Sequence, residues 1–385
     1  MDPLLRYARH KQPDIIAMTR EFVECESPSD DPVSVNRFVE LVAASLDGVA
    51  YIRTHPGDEP GKRGKFGKHL RCEVTLPGGK TQGQVLALGH SDTVWPLGTL
   101  RTMPFRNARG RLWGPGVLDM KAGLVFFIFA TRALRELDIP VRRRVVLHVN
   151  SDEEVGSSSS RPLTEAAGRK SVAVLVLEPG TGLEGKLKTA RKGVGDYTIT
   201  VRGRAAHAGI DFANGASAIL EMSRQIEKIA TITRLDRGIT VSPGVIRGGT
   251  RSNVVAAECT AEIDVRIPRD SDRKYLERKF GSLRPFDKRC TIEVAGGVNR
   301  PPLERSAGVR KLFGTARKLA AELGITLEES STGGGSDGNF TAAQGIATLD
   351  GLGAVGEGAH ALNESILVNR IADRTALLAK LIAAL

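Results

Sequence analysis

Three short apolar runs constrain this chain more than any other feature: Val85-Leu86-Ala87-Leu88, Val145-Val146-Leu147-His148-Val149 and Val172-Ala173-Val174-Leu175-Val176-Leu177. None shows the polar–apolar alternation of a strand wetted on one face, so each reads as a strand buried on both. Between the first two, Lys121 to Leu137 carries a helical pattern that ends near Asp138 and Pro140. Its apolar stretch, Ala122 to Ala130, is far too short to span a bilayer and reads as a buried helix. Strand, helix and strand in this order predict an α/β fold, with a mixed, mostly parallel sheet flanked by helices.

At 385 residues the chain exceeds what one core usually serves, which predicts two domains. Apolar positions at helical spacing mark residues 14–25 and 33–46 as helices. The middle segment has a different texture. Asp196 to Val201, Thr240 to Ile246 and Thr260 to Arg266 alternate as strands, while Ala216 to Ile229 and Arg273 to Leu283 are helical. That pattern predicts a small α+β domain over 191–302, inserted into a discontinuous domain formed by 1–190 and 303–385. The α/β character returns after Arg300-Pro301-Pro302, with a helix from Gly308 to Leu323.

The net charge of +11 raises a nucleic-acid reading. However, the basic residues are dispersed among acids, and aromatic stacking residues are few. No nucleic-acid or membrane partner is expected. The basic middle segment instead suits attraction of an anionic substrate. Cys25, Cys72, Cys259 and Cys290 are scattered without a CxxC pair, and charged residues follow Met1-Asp2-Pro3-Leu4-Leu5 where a secretory signal would need an apolar core. Both observations predict reduced thiols and a cytoplasmic protein.

The ends of the apolar runs carry the chemistry. His90 follows the first after one glycine, Glu153 and Glu154 follow the second within a few residues, and Glu178 comes directly after the third. Ligands in open α/β sheets bind beyond the carboxyl ends of the strands, so these side chains are delivered to one edge. Asp119, at the entry to the long helix after Trp113-Gly114-Pro115-Gly116, is placed to face the same edge, and His360 in Gly-Glu-Gly-Ala-His is a further candidate. Imidazole nitrogen with carboxylate oxygen is the ligand set of zinc or a similar divalent ion. Consecutive side chains diverge, so one of Glu153 and Glu154 can bind metal while the other reaches a water and takes its proton. Asp119 has two oxygens and can bridge two ions. Asp92, two residues beyond His90, is expected to orient the imidazole.

The blocks His90-Ser91-Asp92-Thr93-Val94-Trp95-Pro96, Gly114 to Gly123 (including Asp119-Met120-Lys121), Asp152-Glu153-Glu154-Val155-Gly156 and Glu178-Pro179 resemble the signatures of a dizinc peptidase family. That family contains aminoacylases, acetylornithine deacetylase, succinyl-diaminopimelate desuccinylase and bacterial glutamate carboxypeptidase. Ala206-His207-Ala208-Gly209, Arg251 to Val255, Gly333-Gly334-Gly335-Ser336-Asp337 and Gly358-Ala359-His360 extend the likeness, which is nearest to the glutamate carboxypeptidase branch. The resemblance implies two Zn2+ ions per subunit, with Co2+ or Mn2+ as substitutes. Asp119 would bridge them, Glu154 and His360 would complete one, and His90 and Glu178 the other. Glu153 would be the general base and then the acid. The inserted domain would be a lid and homodimer contact, His207 would stabilise the oxyanion, and Asn253, Arg266, Arg300, Gly335 and Ser336 would hold the substrate.

The expected activity is hydrolysis of an amide bond next to a free carboxylate, in a small peptide or N-acyl amino acid. The same site on an aromatic substrate would serve hydrolytic deamination or cleavage of a conjugated carboxylic acid. A non-catalytic basic binding protein would not need the full ligand set beside Glu153.

Overall fold

The computed structural model describes residues 1–59, 61–81 and 83–385. The chain divides into two compact units, one of residues 1–190, 305–331 and 336–385, the other of 191–304 with 332–335. The second unit thus runs two residues beyond the expected 191–302 and takes in a short segment from the distal part of the chain.

The first unit is built on a six-stranded sheet. Its order is Ala50–Glu59, Lys62–Val74, Arg144–Asn150, Gln84–His90, Ser171–Val176 and Thr348–Leu349. The four strands from Arg144–Asn150 onward pair in parallel. The two outer strands form an antiparallel hairpin, joined antiparallel to Arg144–Asn150. Continuous apolar sequence and parallel pairing go together because helices cover both faces. One face carries Val85, Ala87, Val145, Leu147, Val149, Ala173 and Leu175 into the main core, beneath the helices Pro3–His10, Gln12–Glu24, Pro32–Ala44, Ala122–Glu136, Ala307–Glu322 and Ile371–Ala384. The other face puts Leu86, Leu88, Val146, Val174 and Val176 into a smaller cluster with Ala167 and Ile346.

The helix Ala122–Glu136 is buried almost throughout. Gly123 lets its first turn lie on the end of a strand, since a Cβ there would overlap the carbonyl oxygen of Leu177. The outer hairpin carries no apolar run, and its first half is largely exposed. Its second strand does alternate, with Leu70, Cys72 and Val74 in the main core, but over three positions only. A second, four-stranded sheet joins Arg106–Ala108 and Arg111–Trp113 to Ser365–Leu367 and Gly356–Glu357. It brings the segment that bears His360 beside the turn that bears Asp119.

The second unit holds a four-stranded antiparallel sheet in the order Thr240–Gly248, Glu258–Ile267, Gly193–Arg202 and Thr291–Arg300. Alternating inward side chains (Tyr197, Ile199, Val201, Ala261, Ile263, Val265) pack with Met222, Ile229, Leu276 and Phe280 from the helices Ala218–Ala230 and Arg273–Gly281. Tyr197 and Phe280 stack with ring centroids 3.9 Å apart. The strand Thr291–Arg300 lies at the sheet edge, largely exposed, and its two glycines (Gly296, Gly297) blur the alternation that would have marked it.

Candidate metal centre

The three parallel strands end together, and their loops converge. His90 is the last residue of its strand, 2% exposed, and its Nδ1 lies 2.9 Å from the main-chain carbonyl of Asp92. A carbonyl only accepts, so Nδ1 carries the proton and the Nε2 lone pair points into the site. That nitrogen is 3.2 Å from Asp119 Oδ1 and 3.6 Å from Glu178 Oε1. On the opposite side, His360 Nε2 is 3.3 Å from Asp119 Oδ2 and 3.3 Å from Glu154 Oε2. Asp119 therefore offers one oxygen to each half.

Each half presents one imidazole nitrogen and two carboxylate oxygens. Ligand atoms about 2.0–2.2 Å from a tetrahedral zinc stand roughly 3.4 Å from one another. The separations of 3.2 to 3.6 Å are close to that edge length. Glu154 Oε1 is buried without a hydrogen-bond partner among the described residues, an arrangement that a cation resolves. The Glu153 carboxylate also lies within 4.8 Å of the ligand atoms of His90 and Glu178. The residues thus fit a pair of divalent ions.

The electrostatics agree. Hydrogen bonds to Asp119 and Glu154 push the His360 imidazole up to about 10. Burial works against the charge on His90, yet the Asp119 and Asp92 carboxylates raise its pKa well above the ordinary histidine value. Burial likewise opposes ionisation of Asp119, but the imidazoles of His360 and His90 hold its carboxyl well below the usual range. Burial pushes the Glu154 carboxyl up against the pull of His360. Such a cluster of carboxylates keeps protons on its imidazoles unless a cation supplies the charge.

The Asp92 carboxylate lies beside the His90 imidazole, its Oδ1 3.6 Å from Nδ1, and it has a further job. It accepts the backbone N–H of Glu153 at 3.2 Å and of Glu154 at 3.1 Å, and the Ser29 hydroxyl at 2.8 Å. The main chain of Asp92 orients the imidazole, and its side chain fixes the Glu–Glu turn.

Glu364, which sequence reasoning missed, clamps the Asp119 turn. Its buried carboxylate accepts the N–H groups of Gly116, Leu118 and Asp119, and the Trp95 indole N–H at 2.8 Å. The only sequence signal was an acid set against the short apolar run Ile366-Leu367. The Asp119–Met120 peptide is cis, and His360 has a positive φ of 62°. Asp337 accepts from Asn150 and Ser157 at 2.5 Å each, bracing the start of the loop that leads to Glu153.

The remaining candidates fall into both units. In the second unit, the Ala208 N–H donates to the Asn253 carbonyl at 3.0 Å, which places His207 close to Asn253. His207 is exposed and its Nδ1 accepts from the Gly209 N–H at 3.2 Å, so its neutral form carries the proton on Nε2. Arg266 is engaged by Asp264 at 2.7 Å and reaches the Gly333 carbonyl at 3.4 Å. Arg300 is 6% exposed, and a Cβ at Gly335 would lie 3.0 Å from its Cδ. Ser336 belongs to the first unit, fully buried, with its hydroxyl donating to Asp350 at 2.6 Å. What it touches is scaffold.

The chain is 27% identical over 390 residues to carboxypeptidase G2 of Pseudomonas sp. (strain RS-16), covering 98% of this chain and 91% of the relative. It is 27% identical over 391 residues to succinyl-diaminopimelate desuccinylase of Rhodospirillum centenum, covering 95% of each. Its fold matches that of aminopeptidase PepT from Bacillus cereus with a TM-score of 0.77 and 22% identity, over 97% of this chain and 98% of that one. The model of peptidase family M20/M25/M40 matches residues 86–384, the stretch that contains every donor around Asp119, and the chain is a hydrolytic enzyme belonging to that family.

Proposed function

We propose that the protein is a dizinc amidohydrolase that cleaves an amide bond next to a free carboxylate, releasing a C-terminal amino acid or removing an N-acyl group. The observation that carries this reading is the division of donors about Asp119, with His90 and Glu178 on one oxygen and His360 and Glu154 on the other. When bound, the ions would supply Lewis-acid chemistry, lowering the pKa of water and polarising the scissile carbonyl. Glu153 stays outside the two sets, takes the proton from the attacking water and returns it to the departing nitrogen.

His207, with its proton on Nε2, is assigned to the developing oxyanion. Asn253, Arg266 and Arg300 are assigned to the substrate carboxylate, which a guanidinium meets in bidentate fashion. For Arg266 this requires exchange of part of its contact with Asp264. The second unit is assigned as lid and homodimer contact. Its exposed apolar side chains Ile210, Phe212, Ile219 and Leu220, and the sheet-edge residue Ile246, support that role. Four unpaired cysteines suit a reducing, cytoplasmic setting.

The deciding experiment is Glu153→Ala in the metal-loaded enzyme, assayed on a mass-spectrometric panel of N-acyl amino acids and dipeptides. Turnover should fall at least about a hundredfold with metal content intact. Near wild-type hydrolysis would end the proposal.

A further inference from the structure

The sheet face beneath the short helix Arg161–Gly168 changes character towards the outer hairpin. Strand register lines up Leu88, His148, Arg71 and Arg53 in one row across four strands, with Leu86, Val146, Glu73 and Tyr51 in the row beside it. Leu86, Leu88 and Val146 are packed with Ala167 in the small core. Beyond them the rows run into an open cavity of about 410 Å³, lined by Arg53, His55, Arg71, Glu73, His148 and Lys170 among others.

Two features of this cavity lack an explanation in the fold. Arg53 and Arg71 are direct cross-strand partners, and like charges facing each other across a ladder are destabilising. Their surroundings offset only one of the two charges. Arg71 reaches Glu73 at 3.1 Å, while Arg53 donates to the neutral Tyr51 hydroxyl at 2.9 Å. Lys170 adds a third positive charge, and Glu73 is the only carboxylate among the described lining residues. The second feature is His148, 2% exposed, neither of whose ring nitrogens has a hydrogen-bond partner among the described residues. An unpaired buried imidazole is a cost that a structural role does not return. Burial, with His69 and His55 nearby, pushes its pKa down to about 3, so the ring is neutral and has one N–H to give. Imidazoles beside an acid would otherwise suit a metal, but three fixed cations round the cavity disfavour one.

We propose that this cavity is a binding site for a compact oxyanion, a carboxylate or a phosphate monoester, held by Arg53, Arg71 and Lys170 above His148. Guanidinium groups pair with such oxyanions through parallel N–H donors, which converts the Arg53–Arg71 repulsion into a clamp. The site lies on the strand that runs into the Glu153–Glu154 turn, on the face opposite the main core.

The test is arginine modification of the metal-loaded wild-type protein with phenylglyoxal, read by peptide mapping, with inorganic phosphate or succinate as probe. At ten times its Kd a probe in the cavity should slow modification of Arg53 and Arg71 by about tenfold, leaving the exposed Arg142 unchanged. Protection by phosphate alone or succinate alone identifies which oxyanion the site prefers. In parallel, Arg53→Met and Arg71→Met should abolish the phosphate-induced rise in Tm while hydrolysis stays within about twofold, which separates this cavity from phosphate held at the metal centre. Absence of protection with both probes, or equal protection at Arg142, would overturn the proposal. The protection measurement uses the unaltered chain, so it decides the matter even if a variant folds poorly.

Discussion

The backbone N–H of Asp119 donates to the buried carboxylate of Glu364 at 3.1 Å, across 245 residues of sequence. The same carboxylate takes the N–H groups of Gly116 and Leu118, so the turn that aims both Asp119 oxygens is held from the residue that precedes the strand Ser365–Leu367. Glu364→Ala would leave these donors and the Trp95 indole without an acceptor. Stability should fall by about 2 kcal/mol or more, and metal affinity by about 10–100-fold. Urea unfolding and a chelator competition titration measure the two effects. Unchanged metal affinity would show that the clamp does not serve the centre.

Asp92 holds the Glu153–Glu154 turn through two acceptor oxygens. An asparagine there keeps the shape but offers only one. Asp92→Asn is therefore expected to lower kcat by about tenfold or more with KM little changed, since the proposed base, Glu153, and not the substrate grip would be misplaced. A rise in KM alone would contradict this.

Metal stoichiometry tests the two-sided role of Asp119. The unaltered protein should carry about two zinc ions per subunit, with His360→Ala retaining about one and Asp119→Ala near none. Elemental analysis after dialysis settles it. Equal losses in the two variants would sink the bridging assignment.

His148 predicts acid lability. Its folded pKa of about 3 lies below the unfolded value of about 6.5, so the unfolded chain binds the extra proton between those pH values. Stability contributed by the neutral ring is full above about pH 6.5 and is lost as pH falls towards 3. Urea midpoints at pH 7 and pH 5 should differ less in His148→Leu than in the unaltered chain. An identical pH dependence would show that His148 is not the group responsible.

Much of the centre was legible in advance because its geometry is local to strand ends. Gln84–His90, Arg144–Asn150 and Ser171–Val176 are each built round a run of apolar residues, and a parallel sheet puts whatever follows them on one edge. His90, Glu153, Glu154 and Glu178 were found that way. The helix Ala122–Glu136 was equally plain, because periodic apolar residues need no knowledge of their partners.

The outer hairpin, Glu364 and the job of the Asp92 carboxylate were not legible. The first strand of the hairpin is too exposed for a period to show, and the alternation of Leu70, Cys72 and Val74 in the second is only three positions long. Glu364 and Asp92 act on backbone N–H groups that lie far away in sequence, and a hydrogen bond between distant segments leaves no pattern in either. Ser336 shows the same limit from the other side: read beside its glycines it looks available to a ligand, yet burial against Asp350 commits its hydroxyl. The α/β core and the side chains that stand at its edge follow from chain order alone, because burial on two faces and strand direction are written into local apolar runs. How those side chains are aimed, and what the row of Arg53, Arg71 and His148 surrounds, came only with the folded chain, because both depend on register and contacts between segments that the chain order keeps apart.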